Sequence, residues 1–166
     1  MDLLDRLLGH DAWTTRELLL RSRHLSDDQL DREFDMSHRT LRATFRHIVR
    51  NVEAWSDLMT DASVRESRAP RQEGQSIPDL IARFDRAAAD LAHVARGVAR
   101  RGAWDELWLD TLDNPPSEKT YGGAIAHVIT HSMHHRAQAL HMLRRLGVDD
   151  LPEGDVLSWE GQAVRP

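Results

Sequence analysis

Histidine is the residue through which this chain could do chemistry. Five of its ten histidines fall between His127 and Arg145, in the run HVITHSMHHRAQALHMLRR. Neither Pro nor Gly interrupts that run, and Gly147 follows as a natural stop. On a helix turning about 100° per residue, His131 and His135 stack one turn apart on one face. His127 precedes them by one turn, and Gln138 falls between their two directions one turn later. Two imidazoles at i and i+4 can both reach one ion, and the backbone fixes their spacing. That geometry is why His-x3-His on a helix recurs in zinc sites. The competing reading is a pair that faces solvent or is satisfied by hydrogen bonds. The flanks favour the ion. Ala124, Val128, Ala139 and Leu146 border the stripe on one side, and Ile129, Met133 and Leu140 lie opposite. A helix apolar on two sides packs on two sides, where unpaired polar groups are costly.

The elements that must position this pair are legible as helices. Leu3, Leu4, Leu7, Leu8, Ala12, Leu18 and Leu19 predict a first helix over about 2–23. His10 and Trp13 fall near one face of it, as core or pocket wall, and a lone His there reads as a hydrogen-bonded core residue. Ser26-Asp27-Asp28-Gln29 has the form of a capping box opening a short turn. Leu41, Phe45, Ile48, Val52 and Trp55 make the apolar stripe of a second helix over about 40–60. His47 sits at the margin of that stripe, with Asn51 one turn on, so it can point inward without displacing core residues. Taken alone it reads as a satisfied core histidine. Residues 61–75 are polar and read as an exposed connection. Ser76 caps a third helix with Pro78 in its first turn, a near-heptad seam and a stop at Gly102. His93 lies off that seam and is expected to be exposed.

Residues 103–119 alternate briefly and then turn at Asp113-Asn114-Pro115-Pro116, which fits a short hairpin or an irregular crossover. Trp104 and Trp108 are expected to cover one end of the bundle. Thr120 begins the fourth helix, and Gly122-Gly123 in its first turn implies close backbone packing. The expectation is one all-α domain over 1–166, with a short irregular tail from about 148 that packs only partly on the rest.

Composition narrows the chemistry. The chain has 166 residues, 40% hydrophobic and 30% charged, as in ordinary globular domains. A net charge of −5 and scattered arginines give no footprint for nucleic acid or an acidic membrane. Cysteine is absent, so any metal must be held by N and O ligands and any thiol must come from outside. The N-terminal stretch has no signal-peptide core and no apolar run reaches transmembrane length, so the expected location is cytoplasmic.

His131-Ser132-Met133-His134-His135-Arg136-Ala137-Gln138 resembles the H-x-x-x-H-R-G-Q signature of the DinB-like (DinB/YfiT-like) four-helix metalloproteins, with Ala137 in place of the usual Gly. Phe45-Arg46-His47-Ile48, followed by Glu53 and Trp55, is similar to that family's second-helix motif. His10-Asp11-Ala12-Trp13 is similar to its first-helix opening. The likeness runs from about residue 3 to 147. It implies an up-down-down-up four-helix bundle with a long crossover, for which residues 61–75 could serve. It also implies a divalent ion, zinc or nickel, held by His47, His131 and His135, and often a homodimer. The face formed by Ile129, Met133 and Leu140 points to a dimer as well.

Three neutral imidazoles leave coordination positions open, as in catalytic rather than closed structural sites. Such an ion lowers the pKa of a bound thiol or water. Ser132 stands where an H-E-x-x-H protease would carry its Glu, so peptide hydrolysis is disfavoured. Two enzymatic readings remain: a low-molecular-weight-thiol-dependent S-transferase, or a hydrolase of a small substrate. A non-enzymatic, stress-related metal-binding or interaction protein is the competing class. Asn51 and Gln138 are expected to orient the ligands or a bound water by hydrogen bonding behind them. His134 and His141 turn away from the pair, towards the surface or a supporting position behind the ligands.

Overall fold

A computed structural model describes residues 1–60 and 75–164. Leu3–Arg21 forms α1, capped by Asp2, whose carboxylate accepts from the Asp5 amide. The expected capping box is present at Ser26 and Gln29, and opens the four-residue α2, Asp27–Leu30. Helix α3, Leu41–Leu58, starts at Thr40, whose hydroxyl accepts from the Ala43 amide. Helix α4, Ile77–Arg101, starts at Ser76 and stops at Gly102, which takes the left-handed conformation at φ 66°. Leu107–Asp110 (β1) and Ser117–Thr120 (β2) pair antiparallel, with Leu107 opposite Thr120 and Asp110 opposite Ser117. A hairpin, not an irregular crossover, therefore joins α4 to α5. Helix α5, Tyr121–Arg145, carries the histidine run. After Gly147 the chain forms the short α6, Val156–Trp159, and a single π-helical turn. The segment expected to cross between the second and third long helices lies outside the described residues except for Gln75.

The four long helices enclose one apolar core. Of the predicted stripe of α3, Leu41, Phe45, Ile48 and Val52 are fully buried and Trp55 is half-buried; Leu80 and Phe84 of α4 and Val128, Ala139 and Leu143 of α5 are fully buried too. Burying each large side chain of this set contributes about 1.5–3 kcal/mol relative to exposure. α1 packs on α4 and α5, and α3 packs on the same two helices from the other side. Ion pairs mark the seams. Arg96 pairs with Asp5 and Arg16 with Asp85 between α4 and α1. The Arg83 guanidinium grips the buried Glu53 carboxylate through two bonds, of 3.0 and 2.7 Å, between α4 and α3. At the start of α3, Arg42 donates to the Gln75 carbonyl just before α4 begins. Arg42 also pairs with Asp27 and Asp31, tying α2 to α3.

Local expectations at both ends of the bundle hold. A Cβ on Gly122 would meet the Trp104 carbonyl oxygen at 3.0 Å, so the close backbone approach is real. Trp108 is buried and meets Trp55 edge-on at 5.8 Å, covering that end of the core. His10 is buried and donates from Nε2 to the Gly154 carbonyl at 2.8 Å, so it is a core histidine that fastens the tail. Trp159 is buried against Gly9 while Leu157 is exposed, so the tail packs in part. The apolar face expected for a second packing surface on α5 is smaller than its three residues suggested. Ile129 belongs to the chain's own core, Leu140 is half-buried, and Met133 remains 52% exposed.

Candidate metal centre

Helices α3 and α5 bring His47, His131 and His135 together. Nε2 of His131 lies 2.8 Å from Nε2 of His47 and 3.1 Å from Nε2 of His135. Four ligands placed tetrahedrally at a zinc–imidazole distance of about 2.0–2.1 Å sit about 3.3 Å apart, so these separations are close to those of ligands sharing one ion. Hydrogen bonding satisfies the group poorly. Nδ1 of His135 donates to Oε1 of Gln138 at 2.8 Å, which leaves the His135 Nε2 as a bare lone pair aimed at the cluster. One proton on the His131 Nε2 could serve only one of its two neighbours. A cation serves all three, so the donor set fits a divalent ion.

A fourth ring joins them from outside the two helices. His38 stacks on His47 with centroids 4.0 Å apart, and its centroid is 4.9 Å from that of His135. One ring nitrogen from each of His38, His47 and His135 lies within 4.8 Å of the other two, and these three could hold an ion. That set and the expected triad share His47 and His135 and differ in the third ring. Nε2 contacts of 2.8 and 3.1 Å tie His131 to His47 and His135, and the His38 ring packs beside His47 and His135. Sequence reasoning missed His38. It lies on the loop between α2 and α3, nine residues before His47, where no periodicity places it.

Electrostatics keep the rings neutral. Burial, with smaller contributions from the neighbouring His38, His135 and His131, lowers the pKa of His47 to about 4. Burial likewise lowers His38, His131 and His135, although the bond to Gln138 partly offsets the effect at His135. A neutral imidazole keeps the lone pair that a metal needs.

The surrounding residues divide into those that serve the cluster and those that do not. Gln138 touches it, accepting from His135 and donating to Nε2 of the exposed His134 at 3.1 Å. Asn51 does not hydrogen-bond a histidine. Its Oδ1 accepts from the Trp55 indole one turn on, at 3.0 Å, because an i, i+4 partner on its own helix captures it first. Its Nδ2 is buried with no hydrogen-bond partner among the described residues. His127 is exposed and lies between Trp55 and His131, 5.0 Å from each ring. His141 and His93 are exposed, as expected. Behind His135, the buried Arg136 pairs with the buried Asp11 of α1 and fixes α5 against it. Burial pushes the Asp11 carboxyl up, and the Arg136 charge beside it opposes that.

Two clefts flank the histidines. One of about 370 Å³ is lined by Ala43, Arg46, His47, Arg50 and Arg83. The other, about 540 Å³, reaches His127 and Trp55 and is lined further by Asp110, Asp113, Glu118 and Lys119. No helix among the described residues is long and apolar enough to cross a membrane. The model of the DinB family matches residues 1–158. No curated protein matches the chain.

Proposed function

The chain belongs to the DinB family, and from that premise we propose that it binds a divalent ion, zinc or nickel, through His47, His131 and His135 and acts on a small molecule. The observation that carries the reading is that Nε2 of His131 lies within 2.8 and 3.1 Å of Nε2 of His47 and of His135. An all-imidazole set suits either metal. When bound, the ion supplies Lewis acidity that lowers the pKa of a thiol or water brought beside it. The chain's own residues do the rest. Gln138 holds the His135 ring in the tautomer whose Nε2 can ligate. The Arg46 side of the first cleft gives an entering acidic molecule a favourable field next to His47.

The reaction we favour is transfer of a low-molecular-weight thiol to an electrophile. No Cys is present to act as an internal nucleophile, and no carboxylate follows His131 to serve as a hydrolytic base. The bundle order we propose is up-down-down-up. Asp5 with Arg96 and Asp85 with Arg16 support an antiparallel α1 and α4. Arg42 with Gln75 and Glu53 with Arg83 support a parallel α3 and α4. Protein purified without a His tag should contain about one metal equivalent per chain. With metal, it should consume a chlorinated or epoxide electrophile only when a bacterial thiol is added. Consumption without thiol would favour the hydrolase, and no consumption in either case a binding protein.

A further inference from the structure

We infer that His38 is a fourth ligand, carried by a loop, to the ion proposed for His47, His131 and His135. This rests on that metal reading and adds a residue to it. Three helix-borne imidazoles leave one tetrahedral position to fill. The residue placed to do so is His38, one of whose ring nitrogens falls within 4.8 Å of a ring nitrogen of His47 and of His135.

The backbone is built to hold the ring there. Only Arg39 separates His38 from Thr40, the residue that caps α3. Arg39 adopts φ 60°, a left-handed conformation that costs a non-glycine residue about 1 kcal/mol or more. The surrounding bonds enforce it. The Phe34 amide donates to the Arg39 carbonyl at 2.7 Å, and the Arg39 amide donates to the Met36 carbonyl at 3.0 Å. Phe34 and Met36 pack against the core, while the exposed Arg39–Glu33 ion pair adds little to the hold. A strained turn pinned on both sides fixes the direction in which the preceding side chain leaves the backbone. Here that direction leads onto His47, 4.0 Å away between centroids.

The position has a chemical consequence. The three helix-borne rings are held between packed helices, whereas His38 lies at the edge of the cluster and can swing away by rotating its own side chain. His38 therefore closes the site at rest, and any molecule that brings its own donor, such as a thiolate, competes with His38 for the position it fills.

The test titrates metal-free protein with Co(II), whose visible absorption is strong in four-coordinate sites and weak in five- or six-coordinate ones. Wild type should show the strong band. His38→Ala should bind at least about tenfold more weakly, the scale on which metal sites respond to loss of a supporting group, and its band should weaken. Arg39→Gly accepts the same backbone conformation without strain. It should keep both the wild-type band and the wild-type affinity, while far-UV circular dichroism stays unchanged in both variants. Wild-type affinity and band in His38→Ala, with metal lost from His47→Ala, would overturn the inference and leave the triad standing. Equal weakening in His38→Ala and Arg39→Gly would overturn it too, because loop damage would then explain both. Metal retained by His47→Ala would instead sink the proposed triad.

Discussion

At the residue scale the histidines are organised by two different devices. His131 and His135 were legible because helical periodicity ties sequence spacing to direction. His38 was not, because its direction depends on the left-handed Arg39 and on loop hydrogen bonds that leave no periodic trace. Asn51 shows the reverse failure. It has the right spacing from His47, but Trp55 occupies it. Gln138 is the supporting residue whose loss is most informative. Gln138→Leu should lower metal affinity about 10–100-fold, since His135 loses the acceptor that fixes its tautomer. A competition titration with a coloured chelator measures this, and unchanged affinity would remove Gln138 from the site. The pH behaviour follows from the lowered pKa values. In the unfolded chain these histidines take up protons near pH 6.5. In the folded, metal-free chain they resist, His47 down to about 4. Between those limits the unfolded state binds more protons, so stability falls as pH falls. Melting temperatures of metal-free wild type should drop more steeply from pH 7 to pH 5 than those of His47→Gln. Equal slopes would contradict this. Metal release by acid should also begin below the pH of about 6.5 expected of unperturbed histidines.

At the element scale, the helices follow from local signals that the chain displays openly. Ser26, Thr40, Ser76 and Thr120 are caps with observed side-chain bonds. The stripe from Leu41 to Val52 marks the buried face of α3. Less legible was what joins the helices, because pairing across the bundle is a tertiary property. Asp11 and Arg136 are 125 residues apart, yet meet with both side chains buried. Nothing in either local pattern announces the pair, beyond a charge set among apolar neighbours. Because Arg136 adjoins His135, this bond sets the height and rotation of α5 relative to α1. Asp11→Ala leaves a buried guanidinium uncompensated and should cost about 3–5 kcal/mol. Removing the exposed Arg16–Asp85 pair should cost no more than about 1 kcal/mol. Urea denaturation of the two variants checks the contrast, and equal losses would mean that the inner pair does not hold the bundle together.

At the scale of the whole molecule, a helical bundle gathers a histidine cluster between α3 and α5, with clefts on either side. Association is the property least constrained by a single chain. Met133 and Leu140 leave a modest apolar face on α5, and we propose that a second copy covers it. Light scattering at micromolar concentration should give twice the mass of the chain, and Met133→Glu should shift the mass towards the monomer. A monomeric wild type would count against that face as an interface. The metal remains the central claim, and its most direct measurement is elemental analysis of untagged wild type beside four single variants. His47→Ala, His131→Ala and His135→Ala should each lose most of the bound metal. His134→Ala, on the same helix but exposed, should retain it. Equal metal in all four variants, or an empty site in His134→Ala beside a full one in His135→Ala, would contradict the assignment.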